Sequence, residues 1–175
     1  MMQAETRYLI RSVTLWGLIL TLIVSVSAHA EDEDNLLLMP KLSVDQAELI
    51  AETCVGKFKT SGASSIAIFV FDAAGVPLAF RRMDGVAAGI IEVARAKAKG
   101  AALYGFKTRE MRNWAATNSS VIVVPGFNGT TGGVPIKTGS GILLGGVGVS
   151  GAASDDDEAC ALDGIKAIEG ILAKF

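Results

Sequence analysis

Residues 132–159 read GGVPIKTGSGILLGGVGVSGAASDDDEA, and eight of these 28 residues are glycine. Glycine stands where the backbone turns left-handed or where another group must occupy the space of a Cβ. An apolar run hemmed by glycines on both sides predicts short strands, tight turns and a face pressed closely against a neighbour. A serine and three aspartates then open a last helix. It is expected from about Asp155 to Lys174, with Ser154 as its cap and Leu162, Ile165, Ile168 and Leu172 as its apolar stripe.

The other end of the chain reads as a leader. Arg7 and Arg11 precede an apolar run over 12–26, and Ala28-His29-Ala30 fits a small-residue cleavage site, the pattern of a secretory signal peptide over residues 1–30. The apolar run is shorter than the roughly 20 residues that span a bilayer. The expectation is a periplasmic or secreted protein with no membrane span after cleavage. Residues 31–41 begin Glu-Asp-Glu-Asp and read as a solvated acidic arm.

Cleavage changes the available chemistry. The single histidine, His29, leaves with the leader. A chain so processed has no imidazole for general-base catalysis, for zinc or for a proximal haem ligand. Of the 16 basic and 18 acidic residues, Arg7, Arg11 and Glu5 also leave, so 14 and 17 remain and the net charge is −3. With no basic patch carrying interleaved aromatics, nucleic acid is not an expected partner. Residues 42–175 suit one domain.

Two cysteines, Cys54 and Cys160, fall on expected helices at opposite ends of the domain. Export permits a disulfide between them. It would close a loop of about 105 residues and contribute on the order of 4 kcal/mol in the chain-entropy model. The alternative is two small buried apolar side chains.

Taken in order, Ser43 and Gln46 form a capping box for a helix whose apolar face is Ala47, Ile50, Ala51, Cys54, Val55 and Phe58. Residues 65–71 and 76–83 read as a hairpin, the first strand apolar throughout and so covered on both faces. Residues 90–104 form a small-residue helix suited to close packing, with Lys97 among its apolar neighbours. Thr108 is the expected cap of a short helix to about Ala116. Short strands are expected at 121–124, 134–137 and 142–149, the last two joined by a turn at 138–141. The order α-β-β-α-α-β-β-β-α predicts a single-domain α+β fold with an antiparallel sheet of about five strands flanked by helices.

Gly146, Gly148 and Gly151 match the dinucleotide pattern G-x-G-x-x-G, but no strand or ribose-binding acid follows, and three aspartates crowd the helix start where a phosphate would sit. That reading is rejected. Arg81, Arg82 and Asp84 lie at a strand end; they read as a solvated edge or as a carboxylate clamp. Lys97 reads as a side chain snorkelling to the surface or as a second carboxylate contact. Tyr104 reads first as core. Neither cysteine has an evident activating neighbour.

The segments FDAAGVPLAFRRMDG, VARAKAKGAALYGF, GGVPI, and GVGVSG with DDDEACALDGI resemble, in this order, the GlcG/HbpS-like haem-binding and haem-degrading family, which is related to the C-terminal domain of PduO-type proteins. The resemblance runs over about residues 42–172. It implies a helix-covered antiparallel sheet, homo-oligomers with ligand sites near subunit contacts, and a small-molecule ligand, with haem as the cofactor. It also implies a pocket walled by Gly132, Gly133 and Pro135, a propionate held by Arg82 or Lys97, and iron held by Tyr104, Met83, Met111, a cysteine or no protein ligand. Gly100 departs from the family pattern KAxTA, standing where its Thr would be, and no histidine is available.

Three functions follow as expectations. One is an exported, homo-oligomeric small-ligand binder of the haem-binding kind, independent of histidine. A second is an enzyme moving a proton on a small organic acid, with Arg82 or Lys97 on the carboxylate and Asp84 as base. The third is an accessory subunit of an exported oxidoreductase.

Overall fold

The computed structural model describes residues 39–175; the leader and most of the acidic arm lie outside them. Helix α1 (Val44–Ser61) begins at the expected capping box, in which the Gln46 amide donates to Ser43 Oγ at 3.2 Å and the Ser43 amide donates to Gln46 Oε1 at 2.9 Å. Its buried residues are the six expected from periodicity. Strands β1 (Ala67–Asp72) and β2 (Pro77–Arg82) form the hairpin, and the Asp72 carboxylate ties its turn by accepting from the Ala74 and Val76 amides. Then come α2 (Ala88–Tyr104), α3 (Thr108–Thr117) and a 3-10 turn over Ser119–Val123. Strands β3 (Gly133–Lys137) and β4 (Leu143–Ser150) precede α4 (Ser154–Lys166) and a short α5 (Glu169–Leu172).

The fold is α+β: one antiparallel sheet in the order β2-β1-β4-β3 with helices on both faces. Beneath one face, Ile68 and Val70 of β1, Val147 and Val149 of β4, and Val134 and Ile136 of β3 pack with Ile50, Ala51 and Phe58 of α1 and Ala161 of α4. On the other face Phe71 packs with Ala98 and Ala102 of α2. Thus β1 is apolar on both faces because both are covered. Pro135 lies on β3, an edge strand, where a missing N–H removes no ladder bond from the sheet interior.

The glycines of β4 explain how α2 reaches the sheet. A Cβ on Gly148 would lie 2.2 Å from the Ala98 amide nitrogen and 2.3 Å from the Ala94 carbonyl oxygen. One on Gly146 would lie 2.4 Å from the Ala102 nitrogen. Helix backbone therefore rests on strand backbone, and the alanines of α2 are the other half of that contact.

Cys54 of α1 and Cys160 of α4 are bridged, with their Cα atoms 5.0 Å apart and both residues fully buried. The bridge joins positions 106 apart and so restricts the unfolded chain over most of the domain.

Four expectations need correction. The sheet has four strands rather than about five: residues 121–124 form a 3-10 turn and its exit, with Ile122 62% and Val123 81% exposed. Only Val121 is buried there, and the run packs against α3 rather than along a sheet edge, so it has no ladder to join. The last helix breaks at Ala167–Ile168, and Leu162 is exposed while Cys160, Ala161 and Gly164 face inward. Ser154 lies within the first turn of α4, behind Ala153, and makes no capping bond. Lys107, not Thr108, caps α3; the Thr108 hydroxyl instead accepts from the Gly133 amide at 2.9 Å.

Replacing Gly148 with Ala is expected to destabilise the protein by about 1–3 kcal/mol or more, because only backbone atoms stand in the way. Gly56→Ala, in α1 with nothing within 4 Å of the new Cβ, is expected to add about 0.5–1 kcal/mol. Urea titration of the two variants checks both signs.

Candidate functional site

Helix α2 carries Lys97 into the protein. Its residue is 1% exposed, and its Nζ donates to the Val149 carbonyl at 2.7 Å and to Asp157 Oδ2 at 2.9 Å. Asp157, 2% exposed, also accepts from the Ala152 amide at 3.1 Å. Burial holds the Asp157 carboxyl above its ordinary value of 3.8, and the hydrogen bond and charge of Lys97 pull it only part-way back. Gly132, at φ 120°, lies over the pair: a Cβ there would meet the Val149 oxygen, Asp157 Cβ and Lys97 Nζ, all within 2.9 Å. The next residue, Gly133, presses on the Lys97 carbonyl and on Thr108. Lys97, Gly132 and Gly133 are thus brought together around a buried ion pair that locks α2, β3, β4 and α4.

The acids that open α4 are largely engaged as well. Arg109 of α3 bonds Asp155 through Nη2 and Glu158 through Nε at 3.1 Å, and Lys107 Nζ lies 3.4 Å from Glu158. The Arg109 hydrogen bond and charge hold the Asp155 carboxyl below its ordinary value. With Gly146 and Gly148 covered by α2, the GxGxxG run offers no cradle for a phosphate.

A largely apolar opening lies along α3. A groove of about 530 Å³ is lined by Phe106, Glu110, Met111 and Trp114. Phe106 and Trp114 are each about half exposed, and Met111 is buried at 2%. The Glu110 side chain accepts from the Lys107 amide, closing the α3 capping box at the groove's edge. Ile122 and Val123, in the 3-10 turn after α3, are exposed apolar side chains as well.

Of the other residues singled out by sequence, Met111 alone lines this groove. Arg82 and Asp84 are exposed at the end of β2, on the sheet edge opposite β3, and Met83 packs on the α1 side. The Tyr104 hydroxyl donates to the Pro125 carbonyl. Pro135 is half-buried on β3. The structure does not bring Arg82 or Asp84 to Lys97, Gly132 or Met111. The sequence reading passed over Phe106, Trp114 and Arg109. The signal for the groove was the aromatic–thioether–aromatic spacing of Phe106, just before α3, and Met111 and Trp114 on that otherwise mostly polar helix.

Among the described residues no three His, Cys, Asp or Glu side chains converge as a metal site. No described helix is long and apolar enough to cross a membrane.

The family model for haem degrading protein HbpS-like matches residues 42–166. The chain belongs to the HbpS-like family. Among solved structures, a double mutant of Streptomyces reticuli HbpS is 27% identical, with a TM-score of 0.72 over 82% of this chain and 98% of that one. A crystal structure of HbpS is 28% identical at a TM-score of 0.71, over 79% and 98%. A PduOC–haem complex is 25% identical at 0.66, over 74% and 96%. No curated protein matches this chain in sequence.

In this HbpS-like chain, Lys97→Met would leave Asp157 buried without its cation, and a cost of about 3–5 kcal/mol at neutral pH is expected. That cost should shrink as the pH falls. A carboxyl whose folded pKa is raised contributes stability that is present below its unfolded value and is lost as pH rises through the folded value. The double variant Lys97→Met, Asp157→Asn should recover much of the loss, because Asn still accepts from Ala152. Urea titrations across acid and neutral pH read all three outcomes.

Proposed function

We propose that this protein binds a flat, largely apolar small molecule of the haem class in the α3 groove, as an exported homo-oligomer and without histidine. One observation carries the reading: an apolar groove of about 530 Å³ has a buried methionine in its wall. That volume falls within the range of small-molecule sites, roughly 300–1,000 Å³. The likeness to a PduOC–haem complex and the family's description as haem degrading support the ligand class.

The residues present fit such a group. Phe106 and Trp114 offer aromatic faces to a macrocycle, and the Met111 thioether is an iron ligand of a known type. Haem would supply a redox-active iron. The chain's own part is to shield the ring from water and to present the thioether. Among the other candidates, Tyr104 has its hydroxyl engaged by Pro125 and Met83 packs against the core, so Met111 is the better-placed donor. Lys97 and Arg82 are not the propionate partners in this reading, since one is committed to Asp157 and the other lies on the far sheet edge.

A second copy against the exposed surface of Phe106, Trp114, Ile122 and Val123 would complete the shielding, and that exposure supports an oligomer. The leader pattern and the Cys54–Cys160 bridge support export, because disulfides persist in oxidising compartments.

Titrating hemin into the mature protein should shift the Soret band and saturate at one haem per chain. Met111→Ala should alter the band or weaken binding about tenfold, as losing one favourable ligand contact would. A spectrum unchanged by hemin, or a Met111→Ala variant identical to the parent, sinks the reading. Export is checked separately: the intact mass of protein from the extracytoplasmic fraction should correspond to a chain starting at Glu31.

A further inference from the structure

A second cavity lies away from the α3 groove, between the β1–β2 turn, the outer face of α2 and the loop after the 3-10 turn. It measures about 440 Å³. Phe71, Pro77 and Phe127 form its apolar lining, and Glu92 stands on its α2 side with two cations, Arg95 and Lys99. These two cations are four residues apart and so share one helix face. The Arg95 guanidinium is already held by Glu92, one turn back. Lys99 is exposed and has no carboxylate within ion-pair distance among the described residues. One uncompensated positive charge therefore overlooks an apolar floor.

The walls are held in place. Tyr104 donates its hydroxyl to Pro125, the residue before Gly126 and Phe127. Gly100 lets the same loop settle on α2, because a Cβ there would lie 3.0 Å from the Gly126 oxygen. Gly75 and Gly126 each approach Leu103, with an added Cβ 3.1 Å from its side chain. A Cβ at Gly75 would also be in ordinary contact with Lys99, whose Cε lies 3.7 Å away. Phe127 is packed edge-on against Trp114, with ring centroids 6.3 Å apart, which restrains its ring. The lining is tethered on the loop side and on the α2 side.

We propose that this cavity is a second ligand site, for a small carboxylate with a flat apolar body. The body would lie on Phe71, Pro77 and Phe127, and the carboxylate would meet Lys99, with Arg95 beside it. The α3 groove has the opposite charge character, since Glu110 is its charged lining residue. The two sites therefore select different ligands, and this one does not depend on haem binding at the other.

The probe is 1-naphthylacetate, titrated into the folded, isotope-labelled protein and followed by amide shifts. Saturable shifts are expected at Gly75, Lys99, Gly126 and Phe127. Lys99→Glu, an exposed substitution, should weaken binding about tenfold or more, the effect of losing a charge-assisted hydrogen bond. The uncharged 1-naphthaleneethanol should bind more weakly by a similar factor. No saturable shift, shifts confined to Phe106–Trp114, or a Lys99→Glu variant that binds as the parent does would each overturn the proposal.

Discussion

The domain depends on one contact, the laying of α2 directly on β4. Helices usually stand off a sheet by the length of their side chains. Here Gly146 and Gly148 remove the side chains of the strand, and Ala94, Ala98 and Ala102 nearly remove those of the helix. What remains is dispersion between two backbones, at a separation that a single methyl group would disturb. The close approach also determines the local electrostatics. A lysine on the buried flank of such a helix cannot extend to solvent, so Lys97 must find its partners inside. It finds the Val149 carbonyl and Asp157. The glycine at 132 follows from the same crowding, because the chain entering β3 has to pass over that pair.

The sequence carried the glycine half of this contact clearly and the charge half hardly at all. The small-residue face of residues 90–104 and the glycine blocks of residues 132–159 each pointed to close packing, and they prove to be the two sides of one interface. The α1 capping box and its six buried residues were legible because both depend on neighbours within a few turns. Lys97 was not: its acid lies 60 residues away, and on a face of small residues a lysine reads equally well as a side chain bound for solvent. The expected fifth strand failed for a related reason. Residues 121–124 have strand-like composition, but a strand needs a partner edge, and composition does not say whether one is within reach. The α3 groove was half legible, through Met111, whereas Phe106 and Trp114 gained meaning only once α3 was seen to leave them exposed.

The bridge between Cys54 and Cys160 complements the α2 contact from the other face of the sheet. Helices α1 and α4 come from opposite ends of the domain, and Gly164 meets the Ile50 backbone with no room for a Cβ. Each face of the sheet is thus closed by a glycine-mediated approach; a disulfide then locks α1 to α4 on one face, and a buried ion pair ties α4 to α2 of the other. Packing of this kind leaves little freedom in the core for a ligand. The openings lie outside the two locks: along the exposed side of α3, and between the outer face of α2 and the loop after the 3-10 turn.

The glycine at position 100 fits this division. The Gly126–Asn128 loop sits on Gly100, with its nearest oxygen 3.0 Å from where a Cβ would be. A side chain at 100 would require that loop to give by a few tenths of an ångström. Since Phe127 contacts Trp114 on one side and lines the α2 cavity on the other, the position of this loop shapes both openings. A one-residue change on a buried helix face can in this way alter ligand-facing surfaces without touching them. Shared fold and divergent ligand chemistry are then compatible within one family, because the locks fix the sheet and helices while small residues beneath the loops set the shape of what is left open.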